Sequence, residues 1–446
     1  MKKRYCYFGL SLLLVFVLLA AGCTSEQTGG DNSAPETNEG PADSDSSPDL
    51  EATLRVWIME TGSPEEAQAY FERINAQFNE RYPNVQVDVQ FIPWLSAHQN
   101  LITAIAGGNA PDVSELGTTW VPEFAAMGAL LEMNAYINDW GLADGWVPAL
   151  EEAGTYMENL YGIPWYAGLR QLIYNKDIFE QAGVEVPETY DELLAVSEAI
   201  MQNTDAYAFP AVGISQHFVL PMVWHFGGEL AVLEEGDDNE LRWVSKINEA
   251  EAVEAFKFYT DLYKAGYVPE GAVNWSVLDT RQAFAQGDLA MTIDVAPGIN
   301  AMINENSEIA DKIGVAPLPS KANNASFVGG SNLAVFKQSS HPELAAAYVN
   351  VLLQEDNIAE WAQLTGFFPG TLAGLDNPVF HEDEHLKVFA DALVHGRSYP
   401  ASPSWGQFEG DNLFVTAVQE IMLGNKTAQE ALDEVAEAMN NAFEKE

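Results

Sequence analysis

Cysteine is almost missing from this chain. Only Cys6 and Cys23 occur in 446 residues, both ahead of the globular part, so the body has no disulfide framework and no thiolate metal site. Positive charge is also scarce: 20 Lys and Arg stand against 66 Asp and Glu, a formal net charge of −46. Such a surface repels phosphate backbones, which excludes a nucleic-acid partner. No GxSxG elbow, Walker A loop or GxGxxG follows an expected strand. The seven histidines are scattered. His381-Glu382-Asp383-Glu384-His385 fits the HExxH string, but it follows Asn377-Pro378 in a polar run and reads as a solvated helix start. No metal and no cofactor is expected. Among 66 acids many pairs suit glycoside hydrolysis by accident, and none is marked out by its context. No internal repeat is visible.

What is present begins with a leader. Lys2, Lys3 and Arg4 precede an apolar run, Tyr7–Ala21, too short to stay in a bilayer as a span. The run ends in Leu19-Ala20-Ala21-Gly22-Cys23, which resembles the lipobox of bacterial lipoproteins. The resemblance implies a signal peptide over 1–22 and lipid (palmitate) attachment at Cys23. Thr24–Leu50 then carries seven acids, no base and no aromatic ring. It cannot bury enough apolar surface to fold and reads as a disordered acidic tether over 23–50.

The remaining length suits two or three domains, and 47% hydrophobic content makes it globular. Leu54, Val56 and Ile58 alternate as a strand. Ser63-Pro64-Glu65-Glu66 then opens a helix with a cap, a proline at the first position and a capping-box acid. Val85, Val87, Val89 and Phe91 alternate as a second strand. Strand, helix, strand predicts a βαβ unit and a sheet that is at least partly parallel. The stretch Leu160–Phe179 is the centre of the chain. It holds a turn (Gly162, Pro164), rings at Tyr161, Trp165 and Tyr166, a strand over Leu169–Tyr174, and a helix with Asp177 as expected N-cap and Gly183 as stop. It predicts a crossing between two bodies around Leu160–Pro164. Two amphipathic helices, Asp411–Leu423 and Ala428–Phe443, close the chain.

The positive functional signal is aromatic. Trp94, Trp120, Trp165, Tyr166, Trp224, Phe367 and Trp405 fall where loops are expected, with polar neighbours such as Glu60, Arg170 and Asp294. Sugars present C–H faces that stack on rings and hydroxyls that pair with such groups, so the set predicts a carbohydrate cleft. Trp57, on a strand, is assigned to the core.

Several blocks then carry a family resemblance: Phe78–Pro83 ahead of an alternating strand, Gly107–Val113, Ala126–Leu131, Tyr161–Pro164, Tyr174–Asp177, Ala283–Ile293, Gly314–Pro319, Gly329-Gly330 and Pro342–Leu353. Their order and spacing resemble the bacterial extracellular solute-binding proteins of the family 1 type, the sugar-binding components of ABC importers. The resemblance implies an α/β fold, the two-lobe type II periplasmic-binding-protein-like fold, with mixed sheets flanked by helices and a ligand cleft between lobes. It places lobe I at 51–162 plus 314–341 and lobe II at 163–313 plus 342–446. It maps ligand contacts to Glu60, Thr118, Thr119, Trp120, Trp165, Tyr166, Arg170, His217, Trp224, Asp294 and the region Trp405–Asp411. Trp94 and Phe367 join them from the aromatic set. Asp294-Val295-Ala296-Pro297 stands where maltose-binding members carry a stacking Trp, which tells against an α-glucan.

The implied function is the extracellular substrate-binding component of an ABC importer. It would be no enzyme, but a monomer that captures a di- or oligosaccharide and delivers it to the membrane permease from the outer face of the membrane. A secreted carbohydrate-active hydrolase and a binding protein for a non-sugar solute are the alternatives.

Overall fold

The computed structural model describes residues 50–142, 145–236 and 239–446. The expected leader, the Cys23 lipid site and nearly all of the tether lie outside the described residues.

The first strand, Ala52–Met59, buries Leu54, Val56 and Ile58 completely, as its alternation requires. Helix Pro64–Asn79 follows. Ser63 accepts from the Glu66 backbone N–H, and Ala67, Phe71, Ile74 and Phe78 form the buried stripe. Strand Val85–Ile92 then returns parallel to the first, completing the βαβ unit. These strands belong to a six-stranded mixed sheet. Its order is Phe368–Pro369, Ile163–Leu169, Val328–Val335, Val113–Gly117, Ala52–Met59, Val85–Ile92. Val328–Val335 runs antiparallel to both neighbours.

A smaller sheet has Gln171–Asn175 at its centre, with Met291–Asp294 and Ile313–Ala316 antiparallel on either side. The strand expected over Leu169–Tyr174 is observed as Gln171–Asn175, and the segment before it, Ile163–Leu169, is a strand as well. Ile163–Leu169 pairs in the large sheet, Gln171–Asn175 pairs in the small one, and Arg170 alone separates them. Sheet membership therefore moves the first crossing from 160–164 to Arg170. It also puts 163–169 with the first sheet rather than the second. A second crossing joins Ile313–Ala316 to Val328–Val335 through 317–327. Helices Pro342–Leu352 and Glu355–Thr365, expected in the second lobe, pack their Tyr348 and Trp361 into the core of the large sheet.

Local chemistry explains two further differences. The helix Lys176–Ala182 is capped by Asn175, whose side-chain oxygen accepts from Asp177 and Ile178 N–H at 3.1 and 3.3 Å. Asp177 lies inside the first turn, and Gly183 ends the helix at φ 69 as expected. Opposite Ser331 and Asn332 the register of Ile163–Leu169 shifts by one residue, a β-bulge at Trp165. Strict alternation would put Trp165 and Tyr166 on opposite faces; at the bulge both rings join one core, 5.4 Å apart.

The second core gathers helices Gln216–His225, Ala250–Lys264, Leu413–Met422 and Ala428–Phe443. Capping boxes at Thr189/Glu192 and Thr427/Glu430 start two helices of this half, each cap contributing about 1 kcal/mol. The HExxH string is divided by Asp383, which caps the helix Glu384–Leu393. His381 and His385 turn their Nε2 atoms to the carbonyls of Leu375 and Ile313. Among the described residues no His, Cys, Asp and Glu cluster could hold a metal ion.

Candidate functional site

The two crossings border a cleft of about 560 Å³, within the range of small-molecule sites. One wall comes from the carboxyl end of Val113–Gly117 and the start of helix Trp94–Ala106. Here Trp94 and Trp120 lie 5.6 Å apart, and Trp94 Nε1 donates to Thr61. His98 packs beside Trp120, with Nε2 2.7 Å from Glu123. The loop Thr118-Thr119-Trp120 is held here because Gly117 lies flat under the indole; a Cβ at 117 would meet the ring at 3.3 Å.

The floor is built on Tyr166. Its ring stacks on Phe367 with centroids 5.0 Å apart. Its hydroxyl donates to Glu115 Oε1 at 2.6 Å. Ser331 donates to the same oxygen at 2.6 Å, and Met59 N–H donates to Oε2 at 2.8 Å. Burial raises the Glu115 carboxyl to about 7, with the three donors pulling the other way. Two glycines make room. Gly330 has φ 145, and a Cβ there would lie 2.2 Å from the Tyr166 carbonyl oxygen. A Cβ on Gly168 would lie 2.7 Å from the Phe367 ring.

The far wall belongs to the second core. Phe327 and Tyr399 stack at 3.9 Å, with the His217 ring parallel to both. His217 Nδ1 meets the Tyr399 hydroxyl at 2.9 Å, and burial beside Arg170 pushes its pKa down to about 3. The imidazole is therefore neutral. Glu409 ties the walls together: Oε2 accepts from Thr119 and Oε1 from Gln216, both at 2.8 Å. Burial raises this carboxyl to about 7.

Of the residues expected from sequence, Trp94, Thr118, Thr119, Trp120, Tyr166, Arg170, His217 and Phe367 converge on this cleft. The rest do not. Trp165 is fully buried against Trp361, at 4.9 Å and 9°. Trp224 and Trp405 lie in the second core, 1% and 0% exposed. These three indoles are core because other rings enclose them: Trp361 against Trp165, Tyr399 against Trp224, and Tyr399 and Phe414 against Trp405. Asp294 is buried in a bidentate pair with Arg281, and its neighbour Val295 lines the cleft instead. Glu60 is exposed outside the cleft lining. Asp411 is also exposed and lines a groove elsewhere, by Tyr156 and Glu446. Phe327 was missed, its one signal being that it precedes Gly329-Gly330; Gln216 and Glu409 were not singled out but fall within segments the resemblance maps, Ser215–His217 and Trp405–Asp411.

Two α/β halves joined by crossing strands, with a ring-walled cleft at the crossing, define a binding protein of the clamshell kind. The family model for bacterial extracellular solute-binding proteins matches residues 61–359, and the chain belongs to that family. It is 28% identical over 387 residues to the diacetylchitobiose-binding protein of Streptomyces coelicolor, covering 85% of this chain and 87% of that one. An ABC transporter solute-binding protein from Thermotoga lettingae, bound with α-D-tagatose, superposes with a TM-score of 0.75. It is 30% identical and covers 88% of this chain and 100% of its own. The sugar-binding protein MalE of Xanthomonas citri gives 0.76 at 26% identity, covering 88% and 98%. The fold is that of the type II periplasmic binding proteins. Among the described residues no helix is long and apolar enough to cross a membrane.

Proposed function

We propose that this protein captures a di- or oligosaccharide outside the cell and delivers it to the membrane permease of an ABC importer. The observation that carries the reading is the cleft itself. Rings from both halves (Trp94, Trp120, Tyr166, Phe367, Phe327) face one space together with Thr118, Thr119, Gln216, His217 and Arg170. Rings supply the stacking faces and the polar groups the orientation that a sugar requires. The sugars named for relatives support the same class of ligand.

In this reading the lobes are the two halves and the hinge runs through Arg170 and 317–327. Ligand held by one wall gains contacts to the other and shifts the population toward the closed form, which the permease engages. Both oxygens of Glu409, and both of Glu115, are already engaged by protein donors, which supports binding without catalysis. The Gly22-Cys23 junction supports lipid anchoring at the outer face of the membrane. A thermal-shift screen against mono-, di- and oligosaccharides tests the reading, since a ligand of the native state raises Tm. A rise with a non-sugar cation and with no sugar would sink it. Sugar recovered as fragments after incubation would favour the hydrolase, and a Cys23→Ala protein that stays on the membrane would refute the anchor.

A further inference from the structure

Among the described residues Arg170 makes no side-chain hydrogen bond or ion pair, and the nearby charge that favours its cationic form is Asp294. Arg170 is the single residue between the two sheets, and it lines the cleft. Its Nε is buried without a hydrogen bond. The nearby Asp294 is consumed: both its oxygens bind Arg281, at 2.6 and 2.9 Å, and Oδ1 also accepts from Val295 N–H. Glu409 is taken by Thr119 and Gln216. The adjacent His217 is neutral and holds Tyr399. Among the described residues no carboxylate pairs with this guanidinium, in a chain where acids outnumber bases 66 to 20. Burial disfavours its charged form. Arg170 is half-buried, with Nε enclosed and the nearby Asp294 already engaged by Arg281, so a planar carboxylate entering the cleft would find a guanidinium fork free to pair.

Resting on the sugar-binding reading above, we propose that the ligand is an acidic oligosaccharide, carrying a uronic-acid carboxylate that pairs with Arg170 while its ring faces stack on the partly exposed rings Trp94, Trp120 and Phe367. The acidic surface does not forbid this. At physiological ionic strength charges are screened over about 8 Å, so the potential at the floor of the cleft is set by Arg170 and its immediate neighbours.

The test is calorimetric titration of the mature chain with di- and trigalacturonate, a glucuronate-containing disaccharide, and the methyl esters of each. The acids are expected to bind at least a hundredfold tighter than their esters and to weaken with added salt. Arg170→Gln is expected to bind acid and ester alike while keeping Tm, because no hydrogen bond or ion pair of the fold is lost with the guanidinium. Arg170→Lys is expected to retain part of the preference. Esters or neutral oligosaccharides binding the wild-type protein as tightly as the acids would overturn the acidic ligand and leave the sugar reading standing. So would Arg170→Gln weakening acid and ester equally. Binding of neither acid nor neutral sugars would overturn both.

Discussion

Glu115→Gln isolates the buried carboxylate that positions Tyr166. The folded-state pKa is raised from 4.5 to about 7, chiefly by burial. A carboxyl with a raised folded pKa contributes fully below its unfolded value and loses that contribution as pH rises through the folded value. At about 1.4 kcal/mol per unit, ionising Glu115 between pH 4.5 and 7 costs on the order of 3 kcal/mol. Glutamine is neutral throughout and can be accommodated. Its carbonyl can accept from Met59 N–H, and its amide can donate to Ser331 or Tyr166, whose hydroxyls both donate and accept. The variant should therefore gain on the wild type by ~3 kcal/mol across this window and run parallel to it above pH 8. Urea unfolding at half-unit steps from pH 4.5 to 8.5 reads the difference directly. Other titrating groups, including Glu409 and His225, are common to both proteins and drop out. A gap that stays constant or narrows with rising pH would falsify the burial argument.

Trp165→Ala should cost 3–5 kcal/mol (roughly) in chemical unfolding, because the indole is core against Trp361; loss of sugar affinity with an unchanged melting curve would contradict this. Arg281→Gln leaves Asp294 buried and without its cation, so unfolding free energy should fall by about 3–5 kcal/mol; a change under about 1 would show the pair to be dispensable. Gly168→Ala pushes its Cβ into Phe367, a partly exposed ring that can swing aside; calorimetry should show sugar affinity falling about five- to tenfold with Tm nearly kept, and unchanged affinity would remove Phe367 from the site. Tyr166→Phe takes one donor from Glu115 and should cost about 1–3 kcal/mol at pH 8 and less at pH 4.5; equal costs at both would refute the hydrogen bond as the cause.

Much was legible in residue order. The βαβ start, the Ser63 cap, the glycine stop at 183 and the final helix Ala428–Phe443 depend on neighbours within a turn or two, and local chemistry decides them. The family blocks led to segments that line one cleft for the same reason: each is a short segment whose spacing survives in the chain. Period and propensity could not say which rings are core. Trp165 and Tyr166 are adjacent, and the bulge opposite Ser331 and Asn332 turns both rings into one core, of which only Tyr166, stacked on Phe367, also borders the cleft. Nothing within ten residues of Trp165 encodes that outcome, because the partner strand lies more than 160 residues away.

The same division applies to charge. Composition alone established an acidic, cysteine-free body that repels nucleic acid, since net charge and residue counts are sums over the chain. Whether a given acid or base is spent or free depends on what folds against it. Asp294 and Arg170 are both cleft candidates by position, but Arg281, thirteen residues upstream, closes on Asp294, and no carboxylate among the described residues reaches Arg170. Pairing depends on distances of a few ångströms between segments remote in sequence. Only the tertiary structure sets those distances, and with them the one guanidinium in the cleft lining that awaits a partner.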